Sequence, residues 1–278
     1  MTKTPTTLPT LPTLSILLAL VVASPSGPIH ADTTAAPIQT TGSDLGKELR
    51  WREQIVDSLM DGEAVDLTAG EATFLGLYTE AEEDAGRGAI IVHGIGVHPN
   101  WPQVVYPLRT ALPRDGWSTL AIQMPVLANE ATGADYAPLI AESAPRLAAA
   151  VAYLKAHGAE RIVIVAHSLG ATMVNDALAA RPDDVDAYVA IGMSSSGLQA
   201  GRDNVELVRR ITIPMLDLFG ENDLPAVVSG ARERAETAAA NPGYHQVQIP
   251  GADHFFEGYE EPLIETVGQW LDQTVPTP

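Results

Sequence analysis

The stretch that decides the fold is Ile162-Val163-Ile164-Val165-Ala166-His167-Ser168-Leu169-Gly170-Ala171. Its first five residues are apolar and mostly β-branched, which predicts a strand buried on both faces of a sheet. A helical pattern over Leu169–Ala180 begins directly after Ser168. A buried strand that turns at a serine into a helix is the setting of a nucleophile elbow. Ala166 stands where glycine is usual, and alanine is the next smallest residue.

Similar short apolar runs occur on both sides of this stretch, and helical patterns separate most of them. The further predicted strands are Ala64–Leu67, Thr73–Thr79, Ala89–Val92, Thr119–Gln123, Ala187–Ile191, Met215–Phe219 and Gln246–Ile249. The first two are joined by a turn at Ala69-Gly70. Strands that alternate with helices predict a mostly parallel sheet covered by helices on both faces.

The predicted helices differ in how sharply their ends are marked. Leu45, Leu49, Val56 and Leu59 suggest one buried face of a first helix. Ser143 is the expected N-cap of a helix that Gly158 ends. The other predicted helices are Val104–Leu112, Leu169–Ala180, Pro225–Ala240 and Pro262–Leu271.

A serine nucleophile needs a base, here histidine, and the base needs an acid that orients it. A fold with such an elbow supplies the three groups in the chain order Ser, Asp or Glu, His. Downstream of Ser168, histidine occurs only at His245 and His254. His245 lies at the start of a predicted strand, whereas His254 follows that strand in a loop, so we predict His254 as the base. Catalytic groups gather in loops at the carboxyl edge of such a sheet.

The acid is expected after the preceding strand, in Met215-Leu216-Asp217-Leu218-Phe219-Gly220-Glu221-Asn222-Asp223. Asp223 lies in the predicted loop and can reach a histidine in the next loop. Asp217 within the strand and Glu221 remain alternatives. Asp253 adjoins His254 and is expected to point away.

The loop after the strand Ala89–Val92 is the predicted second half of an oxyanion hole. It begins His93-Gly94-Ile95-Gly96, and its glycines allow the backbone to turn inward. We predict that the backbone amides of Ile95 and Leu169 stabilise the oxyanion. His93, Gly94 and His167 are the predicted supports of the substrate and its loop.

Two other chemistries fit the sequence less well. His93, His98 and His167 could be read as metal ligands, but no carboxylate-rich helix or HExxH pattern accompanies them. Gly94-Ile95-Gly96 lacks the third glycine of a dinucleotide-binding loop. We therefore expect no metal and no cofactor.

The composition of the chain argues against two classes of binding partner, nucleic acid and anionic lipid. The chain has 278 residues, and its 16 Lys and Arg against 35 Asp and Glu give a net charge of −19. Such a chain is poorly suited to neutralise the phosphates of a nucleic acid or to dock on anionic lipid. It contains no cysteine, which excludes disulfides, thiolate nucleophiles and a lipidated cysteine.

The beginning of the chain predicts export. Leu14–Ala23 is an uncharged apolar run of ten residues. It is too short to cross a membrane but suits the hydrophobic region of a signal peptide. We predict residues 1–31 as signal peptide, 32–43 as a flexible Thr/Pro-rich leader and 44–278 as a single domain. The mature protein is expected to be periplasmic or secreted, without a stable membrane anchor.

Four segments together resemble the alpha/beta-hydrolase superfamily. They are Ala166-His167-Ser168-Leu169-Gly170, His93-Gly94, Gly220-Glu221-Asn222-Asp223 and Asp253-His254. The resemblance covers roughly residues 67–271 and implies a mostly parallel sheet of about eight strands, a Ser-His-acid triad and no cofactor.

Finer phrases resemble an exported bacterial branch described only as a domain of unknown function. They are His98-Pro99-Asn100-Trp101, Gln123-Met124-Pro125-Val126-Leu127 and Asp253-His254-Phe255-Phe256. This branch implies no known substrate. The connection from Ser194 to Ile213 is too short for a large cap domain, so an open site is expected.

The function expected from these residues is that of a serine hydrolase acting on a small-molecule ester or related acyl bond. A peptidase or amidase with the same triad is one alternative. A non-catalytic, hydrolase-like protein of the cell envelope is another, from a different class. The sequence identifies no protein partner, oligomeric state or substrate.

Processing of the N-terminus tests the export prediction. After expression in a bacterial host, N-terminal sequencing of the mature protein should begin at Asp32, because the small residue Ala31 directly precedes it in Ile29-His30-Ala31. Cleavage after Val21-Val22-Ala23 would instead give Ser24. An intact Met1 in the mature, soluble pool would contradict export.

Overall fold

The structure, a computed structural model, describes residues 42–83, 85–198 and 203–278. The predicted signal peptide and nearly all of the predicted leader lie outside these residues. Within them, eight strands form one sheet. The strands are β1 (Glu63–Ala69), β2 (Ala72–Thr79), β3 (Arg87–Val92), β4 (Trp117–Ile122), β5 (Arg161–His167), β6 (Ala187–Ile191), β7 (Met215–Asn222) and β8 (Tyr244–Asp253).

The sheet has the order β1-β2-β4-β3-β5-β6-β7-β8. The pairs β1–β2 and β2–β4 are antiparallel, and all other neighbours are parallel. The carboxyl ends of β3, β5, β6, β7 and β8 therefore meet at one edge of the sheet. This arrangement confirms the predicted mostly parallel sheet of about eight strands.

Eight α-helices of the described chain cover the sheet. They are α1 (Leu45–Ser58), α2 (Val105–Ala111), α3 (Ile140–Ala156), α4 (Leu169–Ala180), α5 (Asn204–Val208), α6 (Pro225–Val228), α7 (Ala231–Ala238) and α8 (Glu260–Thr274). Short 3-10 turns occupy Leu112–Asp115, Gly133–Leu139 and Pro182–Asp184. None of the described helices is both long enough and apolar enough to span a membrane.

The alternation of side chains along the central strands divides the core into two layers. On β5, Ile162 and Ile164 pack in one layer with residues of α3 and α4, whereas Val163 and Val165 pack in the other with residues of α2 and α8. Because successive side chains of a strand point to opposite faces, a continuous apolar run supplies both layers. The described residues form one compact unit and show no separate cap domain.

Three sequence-based predictions about helices are wrong in detail. Ser143 is not a cap, because α3 begins at Ile140 and the Ser143 hydroxyl donates to the Ile140 carbonyl at 2.6 Å. The predicted helix Pro225–Ala240 is broken at Gly230 into α6 and α7.

The third wrong prediction is the buried face of α1. Leu45, Leu49 and Val56 are 53%, 55% and 39% exposed, while Lys47, Glu48 and Ile55 are buried. The reason is a partner far away in the sequence. Arg146 on α3 donates to both carboxylate oxygens of Glu48 at 2.9 Å and draws the polar side of α1 inward.

The same buried pair joins α1 to the sheet. Arg146 also donates to the carbonyl of Gln123, just after β4, at 2.8 Å. Ser43 donates to Glu48 and accepts from the Val126 amide at 2.7 Å. Ser43, which was predicted to lie in the leader, is therefore bonded into the domain.

This pair gives a stability prediction. Arg146→Met leaves the Glu48 carboxylate buried without its cation, which should lower the free energy of unfolding by about 3–5 kcal/mol. Urea denaturation measures the change. Arg161→Met, which removes an exposed pair with Asp186, should cost less than about 1 kcal/mol. Equal losses in the two variants would contradict this reading of the Glu48–Arg146 pair.

Candidate active site

Ser168 occupies the sharp turn between β5 and α4. Its backbone has φ 55° and ψ −120°, a conformation that costs energy for any residue with a side chain. The Ser168 amide donates to the carbonyl of Ile191 at the end of β6, at 2.8 Å. The turn is therefore fixed from outside, and it leaves the serine half-buried at the carboxyl edge of the sheet.

Gly170 lies where α4 comes closest to the end of β3. A Cβ at this position would clash with the carbonyl oxygen of His93 and with the side chain of Val92. The small residue two positions after the serine is thus required by the close approach of the helix to the sheet.

The structure brings His254 and Asp223 together with Ser168. His254 Nε2 lies 3.0 Å from Ser168 Oγ, and His254 Nδ1 lies 2.6 Å from Asp223 Oδ1. An ionised carboxylate only accepts hydrogen bonds, so the imidazole carries its proton on Nδ1 and Nε2 accepts from the serine hydroxyl. His254 and Asp223 are both buried.

Asp223 is held in place by its own backbone neighbourhood. Its Oδ1 accepts from the Leu224 amide at 2.6 Å, and its Oδ2 lies 3.4 Å from the Gly220 amide. The predicted loop before Asp223 is shorter than expected, because β7 runs on to Asn222. Likewise β8 includes Pro250–Asp253, so His254 directly follows the strand.

The other candidate residues are engaged elsewhere. Asp217 is fully buried and accepts from Arg234, Tyr244 and Gln246, each at 2.8 Å. Glu221 accepts from the Gly251 amide at 2.8 Å and is exposed.

The remaining two candidates, Asp253 and His245, are not part of the hydrogen bonds that join Ser168, His254 and Asp223. Asp253 Oδ1 accepts from the Phe255 amide at 2.9 Å. His245 is exposed on β8. Of the acids and histidines considered, only Asp223 and His254 join the chain of hydrogen bonds to Ser168.

His93 fixes the loop after β3. Its Nε2 accepts from the Met124 amide at 2.9 Å, so its proton is on Nδ1, which donates to the Gly94 carbonyl at 2.8 Å. Burial lowers the pKa of His93 to about 3, and the ring is neutral at pH 7. Since the Gly94 carbonyl points toward His93, the trans peptide directs the Ile95 amide the opposite way.

Gly94 lies against the elbow. A Cβ on Gly94 would be 3.2 Å from both Ser168 Cβ and His167 Nδ1. The loop can approach Ser168 this closely because Gly94 has no side chain. Leu169 is the first residue of α4, so its amide has no acceptor within the helix. Ile95 and Leu169 thus lie on the two segments that meet at Ser168, and their role as oxyanion donors stays a prediction.

His167 links the elbow to the loop that carries His254. Its Nε2–H donates to the backbone carbonyl of His254 at 2.9 Å, and the two rings lie 4.8 Å apart. Burial and the neighbouring His254 lower the pKa of His167 to about 4. A neutral His167 therefore supports His254 without placing a positive charge beside it.

The sequence analysis missed Arg109, whose side chain donates hydrogen bonds to the loop that follows β3. This fully buried guanidinium donates to Asn100 Oδ1 at 3.0 and 2.6 Å and to the Asp61 carbonyl at 3.0 Å. Asn100 belongs to the His98–Trp101 phrase. Arg109 is a charged residue in the mostly apolar helix α2, and this could have indicated a buried polar contact.

The three histidines that could be read as metal ligands form hydrogen bonds with the protein. His98 Nδ1 accepts from the Asn100 amide at 3.2 Å, and burial lowers the pKa of His98 to about 4. In the ranges that the structure describes, no group of three His, Asp or Glu side chains could hold a metal ion.

Comparison with solved structures defines the class of the fold. The chain is similar to a dienelactone hydrolase from Anabaena variabilis, with 23% identity and a TM-score of 0.62, over 76% of this chain and 97% of that one. It is also similar to an esterase from Pyrococcus furiosus, with 16% identity and a TM-score of 0.64, over 79% of this chain and 94% of that one. The fold is that of the alpha/beta hydrolases.

The family follows from the sequence itself. Residues 11–145 and 140–273 match the family described as "Protein of unknown function (DUF3530)", and the chain belongs to that family. A curated relative, described as "Probable esterase PIR7A" from Oryza sativa subsp. indica, is 35% identical over 133 residues. That match covers 46% of this chain and 48% of the rice protein, so the chain spans about half the length of the curated relatives it matches.

The low pKa of His167 predicts an effect on stability. Between about pH 4 and pH 6.5 the unfolded chain binds this proton and the folded chain does not, so stability falls as the pH is lowered through that window. His167→Gln removes this contribution. The slope of the free energy of unfolding against pH should then be smaller, by an amount that corresponds to up to about one bound proton. Urea denaturation at a series of pH values measures the slope, and an unchanged slope would contradict the prediction.

Proposed function

We propose that this protein is an exported serine hydrolase that cleaves a small-molecule carboxylic ester through an acyl-enzyme. The observation that carries the proposal is the continuous hydrogen-bonded chain from Ser168 through His254 to Asp223. It lies at the carboxyl edge of the sheet, where alpha/beta hydrolases carry their catalytic groups.

The proposed first step is acylation. His254 accepts the Ser168 hydroxyl proton at Nε2 while Oγ attacks the ester carbonyl. Asp223, bonded to Nδ1, stabilises the imidazolium that forms. The amides of Ile95 and Leu169 stabilise the negative oxygen of the tetrahedral intermediate. His254 then gives its proton to the leaving alkoxide, and the alcohol departs.

The second step is hydrolysis of the acyl-enzyme. Water takes the place of the alcohol, and its oxygen attacks the acyl carbon while His254 accepts its proton. The tetrahedral intermediate then breaks the bond to Ser168 Oγ, which receives that proton from His254, and the carboxylic acid leaves. A neutral base is needed at the start of each step. The Nδ1 proton held by Asp223 leaves Nε2 free to accept, so the resting arrangement is ready for both steps.

Ester chemistry is supported by the relative described as a probable esterase, although only over the matched half of the chain. The solved neighbours contribute the fold alone. A peptidase would need the same triad, so the triad itself does not distinguish esters from amides. Export is supported by the uncharged run Leu14–Ala23 and rests on the N-terminal sequencing described above.

A fluorophosphonate probe tests the nucleophile without requiring the natural substrate. Intact mass should show one adduct on the wild-type protein, in the peptide that contains Ser168, because only an activated serine reacts readily. Ser168→Ala should not label. His254→Ala and Asp223→Asn should each label slower by about 10²-fold or more.

Two matched variants control for the acid. Glu221→Gln removes an exposed carboxylate of the same region, and Asp217→Asn removes the buried alternative. Both should label at rates within a few-fold of wild type when normalised to folded protein. If Asp217→Asn slows labelling and Asp223→Asn does not, Asp223 is not the acid. If folded wild-type protein takes no label, the protein is a non-catalytic member of its fold. If it labels but cleaves only amides, it is a peptidase or amidase.

A further inference from the structure

Phe255 is a large apolar side chain that remains exposed directly beside the proposed base. It is 42% exposed, whereas its neighbour Phe256 is fully buried. The Phe255 ring lies 5.2 Å from the His254 ring in an edge-on arrangement and 6.2 Å from the ring of His167. An exposed aromatic ring packed on a catalytic histidine offers apolar surface at the site itself.

The backbone around Phe255 is fixed. Its amide donates to Asp253 Oδ1 at 2.9 Å. The next residue, Phe256, is buried in the core and has a φ of 54°. Its carbonyl accepts a hydrogen bond from the Tyr259 amide at 2.9 Å. The backbone that carries the ring is thus fixed before any ligand binds, which reduces the entropy lost on binding.

The chemistry of His254 tells which part of a substrate would meet this ring. His254 must give its proton to the oxygen of the leaving alcohol, so the alcohol group lies next to the imidazole. Ile95 instead lies on the loop that faces the carbonyl oxygen. Phe255, packed against the imidazole, is therefore on the alcohol side of the bond that breaks.

The surrounding charges limit what that alcohol can carry. Glu221, near the end of β7, and Glu257, in the loop after His254, are exposed, and Asp253 precedes the histidine. With the net charge of −19, these carboxylates disfavour an anionic alcohol group. The described chain has no cap domain above the site, so an apolar alcohol group would have to rest on the loops themselves.

We propose that Phe255 is the binding surface for an uncharged, apolar alcohol group, which makes this protein selective for esters of aromatic or similarly bulky neutral alcohols. The proposal rests on the hydrolase function proposed above and adds a substrate class to it.

The test compares esters that share one acyl group and differ in the alcohol. Ethyl, benzyl and 4-carboxybenzyl butyrate form the same acyl-enzyme, so differences in kcat/KM arise in the acylation step. Each kcat/KM is normalised to the hydroxide-catalysed rate of the same ester. Wild-type protein should favour benzyl over ethyl and should discriminate against the 4-carboxybenzyl ester.

Variants of Phe255 assign the preference to its ring. Phe255→Ala should lower the benzyl-to-ethyl ratio by about 3- to 10-fold, the range expected for loss of an aromatic pair. Phe255→Leu, which keeps an apolar side chain, should retain part of the preference. Leu49→Ala, a comparably exposed apolar residue on α1, should leave the ratio unchanged. A ratio is independent of the fraction of active protein, so partial misfolding does not affect it.

The outcomes separate the two proposals. If the fluorophosphonate labels Ser168 but the wild-type ratio shows no benzyl preference, Phe255 is not the alcohol-binding surface and the hydrolase function stands. The same holds if Phe255→Ala leaves the ratio unchanged, or if the 4-carboxybenzyl ester is the best substrate. If wild-type protein takes no label and cleaves no ester, both proposals fail.

Discussion

The strained backbone of Ser168 is the constraint on which the site depends. It persists because its amide is bonded to the end of β6 and because Gly170 lets α4 pack against the end of β3. The loop carrying Gly94 and Ile95 leaves β3 at the same place and lies against the serine. One residue in a costly conformation thereby fixes the Ser168 side chain, the first turn of α4 and the facing loop relative to one another.

Parallel pairing of β5, β6, β7 and β8 accomplishes the rest of the assembly. Asp223 and His254 follow adjacent strands, so side chains 31 residues apart in the chain meet at 2.6 Å. His167 then ties the His254 backbone to the elbow. Asp223 and His254 are therefore oriented by short hydrogen bonds to rigid elements. This is the preorganisation that the proposed general-base catalysis requires.

Much of this could be predicted from local sequence, and the exceptions share a cause. Short runs rich in apolar residues indicated the eight strands of the described chain. The position of Asp223 after one strand and of His254 after the next indicated which side chains could meet. The predicted face of α1 was wrong because Glu48 is buried in an ion pair with Arg146, 98 residues away. Arg109 was missed because its partners, Asn100 and the Asp61 carbonyl, come from separate loops. Contacts between distant residues leave no periodic pattern to read.

The position of His254 in the fold has a consequence for the order in which parts of the protein would unfold on heating. His254 lies between β8, the edge strand with the most exposed residues among the parallel strands, and α8, whereas Ser168 lies on the buried strand β5. Edge elements with few buried side chains open at a lower free energy than central ones. His254 would then separate from Ser168 while the centre of the sheet is still intact. We expect this separation to be reversible, since the loop can close again on a folded sheet, whereas loss of the central strands is global unfolding.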